Sequence, residues 1–193
     1  AFFFGIMMFT TQILFPQFLQ TPPEAGFGFG LNVGGTSLAM LPQTAAFAVG
    51  GIFAGRPEST LGSRVSILIG SLFCAAGFTA LLFLHHSTVQ FSSSIVLIGI
   101  GIGVTYAQLA NVVTRSVPTD KVGASTGMNT NIRNIGGAIG TTVAASIIVA
   151  PLGHAFPSLL AYGFGLSLLI VVSLLAMLCA WALPRDRASS VLA

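Results

Sequence analysis

Charged residues are scarce in this 193-residue sequence, where Asp, Glu, Lys and Arg together make up 6% and hydrophobic residues 54%. A soluble globular domain carries about 25% charged residues, so a chain this poor in charge cannot cover a water-facing surface. We therefore predict that most of its surface faces a lipid bilayer and that it has no soluble domain. Because no run of basic residues is present, we expect no nucleic-acid-binding surface.

Residues that hold metals or perform catalysis are also few. Cys74 and Cys179 lie singly in apolar stretches, and the three histidines, His85, His86 and His154, fall in short polar connections. Neither a disulfide framework nor a metal-ligand spacing results. The sequence also lacks a nucleophile–base–acid constellation and a phosphate-cradling loop. We expect no metal, no cofactor and no enzymatic activity.

Long apolar stretches dominate what remains, and a membrane-spanning helix needs about 20 such residues. We predict an all-α fold, a polytopic membrane bundle of six transmembrane helices that occupies residues 1–193. The opening stretch lacks Met and a basic region, so we expect a span rather than a signal peptide. The six predicted spans are Ala1–Leu19, Leu31–Ala54, Val65–Leu84, Ser94–Thr114, Ala124–Ala150 and Leu159–Leu183.

The orientation follows from the basic residues between the spans. All of them fall in the second connection, the fourth connection and the tail, which lie on the same side of the membrane. They are Arg56, Arg64, Arg115, Lys121, Arg185 and Arg187. Because basic connections stay inside the cell, we predict a multi-pass protein of the plasma membrane with both termini cytoplasmic.

Two helices carry pairs of glycines four residues apart, Gly99 with Gly103 and Gly136 with Gly140. Small residues at this spacing share a helix face and let two helix backbones approach closely. Close packing is a sufficient explanation. A second interpretation is that smooth glycine faces let helices slide or rock during transport.

The second connection carries Gly55, Gly62 and Arg64, with Arg56 as an early basic residue. These residues resemble the short basic loop motif of the major facilitator superfamily. The Asp-Arg pair of the motif is replaced by Ser59-Thr60. The resemblance implies a cytoplasmic loop whose basic groups interact with helix ends; the alternative is that these residues only fix the topology.

Residues 99–108, which begin Gly-Ile-Gly-Ile-Gly, and residues 123–140, which contain Asn129, Arg133 and Gly136-Gly137, are more specific. Together they resemble the penultimate pair of helices in fourteen-spanner drug:proton antiporters. The resemblance implies that this chain is the C-terminal six-helix half of such a transporter. It also implies a small amphiphilic or cationic substrate, proton coupling, and a partner that is the missing N-terminal bundle or another chain.

Arg133 is the only charged residue deep in a predicted span, about 14 Å from its start. A buried arginine there costs about 2.5–3 kcal/mol unless it faces protein or water. It therefore either faces a central cavity or extends to the interface. Uncharged polar residues are further cavity candidates, although each can instead form a hydrogen bond between helices. They are Gln12, Gln17, Asn32, Thr36, Gln43, Tyr106, Gln108, Asn111 and Asn129.

Acidic residues are absent from all six predicted spans, since Glu24, Glu58, Asp120 and Asp186 lie in connections or the tail. Proton antiport needs a titratable group within the membrane, so we expect the proton carrier in the other half of the transporter. Two alternatives remain open. The chain could belong to a permease for another metabolite or lipid precursor, or it could be a non-transporting membrane interaction module.

Overall fold

The computed structural model describes residues 1–25, 27–84, 87–149 and 159–182. It confirms the all-α prediction, and short 3₁₀ turns at Pro23–Ala25 and Thr119–Lys121 precede α2 and α5. His85, His86, His154, Arg185 and Arg187 lie outside the described residues. The helices of the described part are α1 Phe2–Gln20, α2 Val33–Phe53, α3 Gly55–Phe83, α4 Thr88–Ser116, α5 Val122–Val149 and α6 Leu159–Trp181.

Five of these helices are long and apolar enough to cross a membrane, namely α1, α2, α3 from Gly62 onward, α4 and α6. The remaining helix, α5, is also long enough, with 28 residues, but it is more polar. Its first half carries Asn129, Asn131, Arg133 and Asn134. A helix of this composition needs protein or water, rather than lipid, along its polar side.

The predicted loop over Gly55–Arg64 is wrong in its backbone. Helix α3 already begins at Gly55, directly after α2, and is interrupted only at Gly62, where φ is 79° and ψ is 159°. Glycine enters this left-handed region without a side-chain clash. The polar residues that indicated a loop therefore form an additional helical segment ahead of a break.

Helix α4 starts at Thr88, six residues earlier than the predicted span. Ser87 caps it by accepting a hydrogen bond from the Gln90 amide at 3.3 Å. Its 29 residues measure about 43 Å, whereas the hydrocarbon core is about 30 Å thick. Polar turns at the ends of a helix can therefore lie outside the lipid, and hydropathy does not detect them.

Apart from the α3–α4 pair, the helices pack mainly against partners that are not their neighbours in sequence. Helix α4 lies between α2 and α3, α1 packs on α5, and α3 packs on α6. Along α4, Gly99 lies against Gln43 and Gly103 against Phe47, so α2 and α4 run parallel. Glycine lets both pairs of backbones approach more closely than a Cβ would allow.

An aromatic cluster closes the end of the bundle opposite the basic residues. Phe18 of α1 stacks on Phe91 of α4 with ring centroids 5.5 Å apart, and meets Tyr162 of α6 at 5.4 Å. Phe27 and Phe29 of the α1–α2 connection contact Phe18 at 5.8 and 5.9 Å. The connection is thereby held against the helix ends, which fixes where α2 starts.

Candidate functional site: a cleft and an arginine–aromatic cluster

A cleft of about 360 Å³ opens between α1, α2 and α4. Two of the predicted cavity residues, Gln12 and Gln43, lie in its wall. The remaining lining is apolar or hydroxylated. It consists of Met8, Thr11, Met40, Thr44, Phe47, Gly99 and Ile102.

Helical periodicity brings the α2 side of the cleft together. Met40, Gln43, Thr44 and Phe47 are spaced i, i+3, i+4 and i+7, so they share one face of the helix. Methionine adapts its shape and favours contact with aromatic rings, while the glutamine amides offer both donors and acceptors. A wall of this composition has an adaptable apolar surface with a few polar groups, which is typical of small-molecule sites.

Arg133 of α5 lies beside this cleft in a cluster of aromatic rings. Its guanidinium carbon is 4.9 Å from the ring centroid of Tyr106 on α4. The Tyr106 ring in turn contacts Phe4 of α1 at 6.0 Å and Phe47 of α2 at 5.9 Å. The cluster thus joins four helices, and Phe47 belongs to both the cluster and the cleft.

The position of Arg133 depends on a glycine in α1. A Cβ on Gly5 would overlap the Arg133 carbonyl oxygen, so only glycine lets the α5 backbone lie so close. The guanidinium gains cation–π attraction from Tyr106. Within the described part of the chain, however, the Arg133 Nε atom is buried and lacks a hydrogen-bond partner.

The other predicted cavity residues are spread over the bundle. Asn32 caps α2, its Oδ1 accepting from the Gly35 amide at 2.7 Å. Thr36 is buried, and Gln17 is exposed further along α1. Asn111 and Asn129 are half-buried. The structure therefore brings Gln12, Gln43, Tyr106 and Arg133 together around one region and leaves these five outside the cleft wall.

Gln108 departs from the prediction of a cavity-facing side chain. It is completely buried, and its Nε2 donates to the Ala54 carbonyl at the end of α2, 2.7 Å away. Gln108 therefore forms a hydrogen bond between helices, which is the alternative role given above for the polar residues of the spans. It connects α4 to the junction of α2 and α3.

Leucine at Gln108 is expected to lower the free energy of unfolding by about 1–3 kcal/mol, because the buried Ala54 carbonyl loses its donor. Thermal unfolding of the purified protein in detergent measures this loss. The control is Gln20→Leu, since Gln20 is exposed at the end of α1. Equal midpoints for the two variants would contradict a structural role for Gln108.

The basic side of the bundle carries a second cation–π contact. Arg64, just after the break at Gly62, places its guanidinium carbon 5.6 Å from the ring centroid of Trp181 at the end of α6. Gly55 and Arg56 lie in the first turn of α3, in a stretch described by its backbone alone. The predicted packing residues Gly136 and Gly140 lie against Phe2 and Ile6 of α1.

Much of the cleft wall is apolar and therefore lies outside the set of polar residues predicted to line a cavity. Met8, Met40 and Phe47 line the wall without being polar, and Phe4 completes the arginine cluster. The i, i+3, i+7 spacing of Met40, Gln43 and Phe47 is visible in the sequence. This spacing places Met40 and Phe47 on the same helix face as Gln43, so it identifies them as further candidates for the cavity lining.

Known proteins show similarity over most of this chain. Residues 1–141 match the model of the Major Facilitator Superfamily. Multidrug resistance protein Stp of Mycobacterium tuberculosis is 30% identical over 152 residues, which cover 76% of this chain and 26% of Stp. Multidrug efflux pump LfrA of Mycolicibacterium smegmatis is 28% identical over 159 residues, covering 76% of this chain and 31% of LfrA. This chain thus spans between a quarter and a third of the length of these curated relatives.

Solved structures show the same fold at lower identity. A peptide transporter of the POT type, crystallised with sulfate, superposes with a TM-score of 0.73 and 19% identity over 94% of this chain and 35% of its own. The inward-open xylose transporter XylE of E. coli gives 0.71 and 15% over 95% of this chain and 47% of its own. The apolar helices, their packing and the match over residues 1–141 lead to one conclusion: this chain belongs to the Major Facilitator Superfamily.

Proposed function

We propose that this chain is the C-terminal six-helix half of a multidrug exporter that moves small amphiphilic or cationic compounds by proton antiport. The observation that carries the proposal is the cleft between α1, α2 and α4. Its methionines, Phe47 and two glutamines provide an adaptable apolar wall with few polar groups. The names of Stp and LfrA, a multidrug resistance protein and a multidrug efflux pump, support the choice of substrate class.

In the proposed transporter, two helix bundles rock around a substrate site between them. In this chain the glycine contacts of α2 with α4 and of α1 with α5 would keep each helix pair rigid during that movement. The cleft wall and the Arg133 cluster would face the other bundle, which is the missing N-terminal bundle or another chain. The greater length of the curated relatives supports such a partner.

The proposed location is the plasma membrane, with both termini cytoplasmic. Arg64 lies beside the end of α6, Arg115 lies in the last turn of α4, and Lys121 lies in the short turn between α4 and α5. Basic residues at one end favour the cytoplasmic side. Attachment of a reporter to either terminus, with accessibility measured from outside intact cells, tests this orientation.

Export of a fluorescent cationic dye from liposomes with an imposed proton gradient tests the proposal. The transporter that contains this bundle should expel the dye, and Gln43→Leu should reduce the rate at least threefold by removing a polar contact in the cleft. Gln20→Leu is the matched control, since Gln20 lies outside the cleft wall. Dye levels that do not depend on the proton gradient, together with uptake of a metabolite, would contradict the proposed exporter and favour a permease for that metabolite.

A further inference from the structure

A second cavity, of about 220 Å³, lies between α1, α3, α4 and α6. It is distinct from the cleft, because no described residue lines both. Phe4 and Leu109 belong to its largely apolar wall, and Ser71 of α3 and Thr105 of α4 contribute hydroxyl groups. Cys179 of α6 also lines it and is exposed at the protein surface. The wall therefore combines an apolar surface with two hydroxyls and an exposed thiol.

The hydroxyl groups of Ser71 and Thr105 are buried and lack a hydrogen-bond partner among the described residues. Other hydroxyls on the same two helices are paired. Thr79 of α3 and Ser94 of α4 donate to the carbonyl four residues earlier, at 2.8 and 3.0 Å, which is a common partner for a helical serine or threonine. A buried hydroxyl without a partner costs free energy, so the two that share this cavity both require one.

The two hydroxyl-bearing side chains lie close together across the α3–α4 contact. A Cβ on Gly70, the residue before Ser71, would overlap the Thr105 hydroxyl, so Thr105 lies directly against this part of α3. Both oxygens are covered by neighbouring atoms. Because both side chains form part of the cavity wall, rotation of χ1 between staggered positions can direct either hydroxyl into the cavity. One polar group inside the cavity is then close to both.

The composition of the wall restricts what can occupy this cavity. A buried water needs about two to four polar partners, so the two hydroxyls hold water only beside themselves and the apolar remainder stays unfilled. A hydrocarbon chain fills the apolar part but leaves both hydroxyls unpaired. A hydroxyl on a compact apolar body meets both requirements, because it donates to one side chain and accepts from the other.

The volume indicates the size of that apolar body. An apolar cavity of about 150 Å³ binds benzene, and the second cavity, at about 220 Å³, leaves room for one ring with a short polar substituent. We propose that the second cavity is a binding site for a one-ring aromatic alcohol or a phenol, which forms hydrogen bonds with Ser71 and Thr105. The ligand reaches it beside Cys179 and does not pass through the cleft.

Aromatic contacts join this site to the cleft. Phe4, in the wall of the second cavity, contacts the Tyr106 ring at 6.0 Å, and Tyr106 contacts Phe47, in the wall of the cleft, at 5.9 Å. A ligand bound beside Phe4 alters the position of that ring and, through Tyr106, the position of Phe47. Occupation of the second cavity therefore changes the affinity of the cleft for its substrate. This coupling rests on the proposed function, whereas the site and its ligand class do not.

Alkylation of Cys179 by N-ethylmaleimide measures occupation of the cavity. The experiment uses the purified full-length transporter that contains this bundle, because Ala1 also lines the cavity and any preceding residue must be present. Mass spectrometry of the peptide that contains Cys179 gives the alkylation rate. Cys74 is completely buried, so its alkylation reports unfolding. The probes are benzyl alcohol and ethylbenzene, which are similar in size and differ in the hydroxyl group.

We expect benzyl alcohol to slow the alkylation of Cys179 in a saturable manner. Ethylbenzene should require an aqueous concentration about tenfold higher for the same protection, because it forms no hydrogen bond with Ser71 or Thr105. Ser71→Ala and Thr105→Val should each weaken benzyl alcohol by about threefold to tenfold and leave ethylbenzene within about twofold. Ser94→Ala is the matched control, because that hydroxyl is paired within α4 and lies outside the cavity wall. It should leave both compounds unchanged.

Binding of a cationic dye to the cleft, followed by fluorescence polarisation, measures the coupling. Saturating benzyl alcohol should change the Kd of the dye by about fivefold or more, and saturating dye should change the Kd of benzyl alcohol by the same factor. A general effect of the alcohol on detergent or lipid does not produce this equality. Tyr106→Leu interrupts the contacts between Phe4 and Phe47, so it should keep the protection of Cys179 and remove the change in dye affinity.

The outcomes separate the site from the coupling and from the proposed function. Equal protection by the two compounds, or protection that is unchanged in both hydroxyl variants, overturns the site. An alkylation rate that neither compound alters also overturns it, and ordered water beside the hydroxyls is then the occupant. Selective protection without a reciprocal change of dye affinity overturns the coupling. Because alkylation requires no transport, selective protection in a transporter that does not move the dye supports the site and contradicts the proposed function.

Discussion

Alanine at Gly103 is expected to force α4 away from α2 and to lower the free energy of unfolding by about 1–3 kcal/mol. A Cβ on Gly103 would overlap the Phe47 carbonyl oxygen and lie 3.0 Å from the Gly51 nitrogen. Both are backbone atoms, so no side chain can rotate to make room. The two helices must separate, which also widens the cleft at Phe47.

Gly127→Ala is the matched control, because a Cβ on Gly127 has no atom within 4 Å. Alanine favours a helix by about 0.5–1 kcal/mol over glycine, so this variant should unfold at a higher temperature. The same chemical change is therefore expected to have opposite signs at the two sites. Thermal unfolding in detergent measures both variants, and equal shifts would contradict the close approach of α2 and α4.

Alanine at Phe47 is expected to have the largest effect on transport of any uncharged substitution. Phe47 lines the cleft and supports the Tyr106 ring under Arg133. Its removal takes away the aromatic surface for a bound compound and loosens the ring that holds the guanidinium. Efflux of a cationic aromatic dye should fall at least tenfold, and Phe47→Trp should retain most of it.

Phe164→Ala is the control for this loss of a ring. Phe164 lies on α6, is 68% exposed and is outside the cleft, so efflux should stay within about twofold of the unmodified protein. Dye binding by fluorescence polarisation separates a loss of affinity from a loss of turnover. Equal efflux by the Phe47 and Phe164 variants would remove the cleft from the transport path.

The fold could be predicted largely from the sequence because a bilayer restricts the possible structures. A spanning segment must satisfy its backbone hydrogen bonds internally, so long apolar runs become helices, as at Leu159–Trp181. The predicted boundaries are wrong where polar turns extend a helix beyond the apolar core. Gly55–Leu61 and Thr88–Ser93 are the examples, and both were predicted as loops.

The site could be predicted only in part. Charge and depth make Arg133 a candidate, and polarity makes Gln12 and Gln43 candidates; the structure places the two glutamines in the cleft wall and Arg133 against Tyr106. Asn32 and Gln108 have the same polarity but form a helix cap and a buried hydrogen bond. A polar side chain in a membrane helix needs a hydrogen-bonding partner. Which partner it contacts depends on the direction in which it points from its own helix and on which helix packs there.

The sequence by itself determined the helical class, the unequal distribution of basic residues, the glycine spacings and the absence of acids from the predicted spans. These properties are local, because they depend on composition along single segments. Only the tertiary structure decided that α2 pairs with α4 and α1 with α5, and that Phe47 joins the cleft to the Arg133 cluster. Those contacts unite residues distant in sequence, and they depend on how the glycine faces and aromatic side chains of different helices fit together.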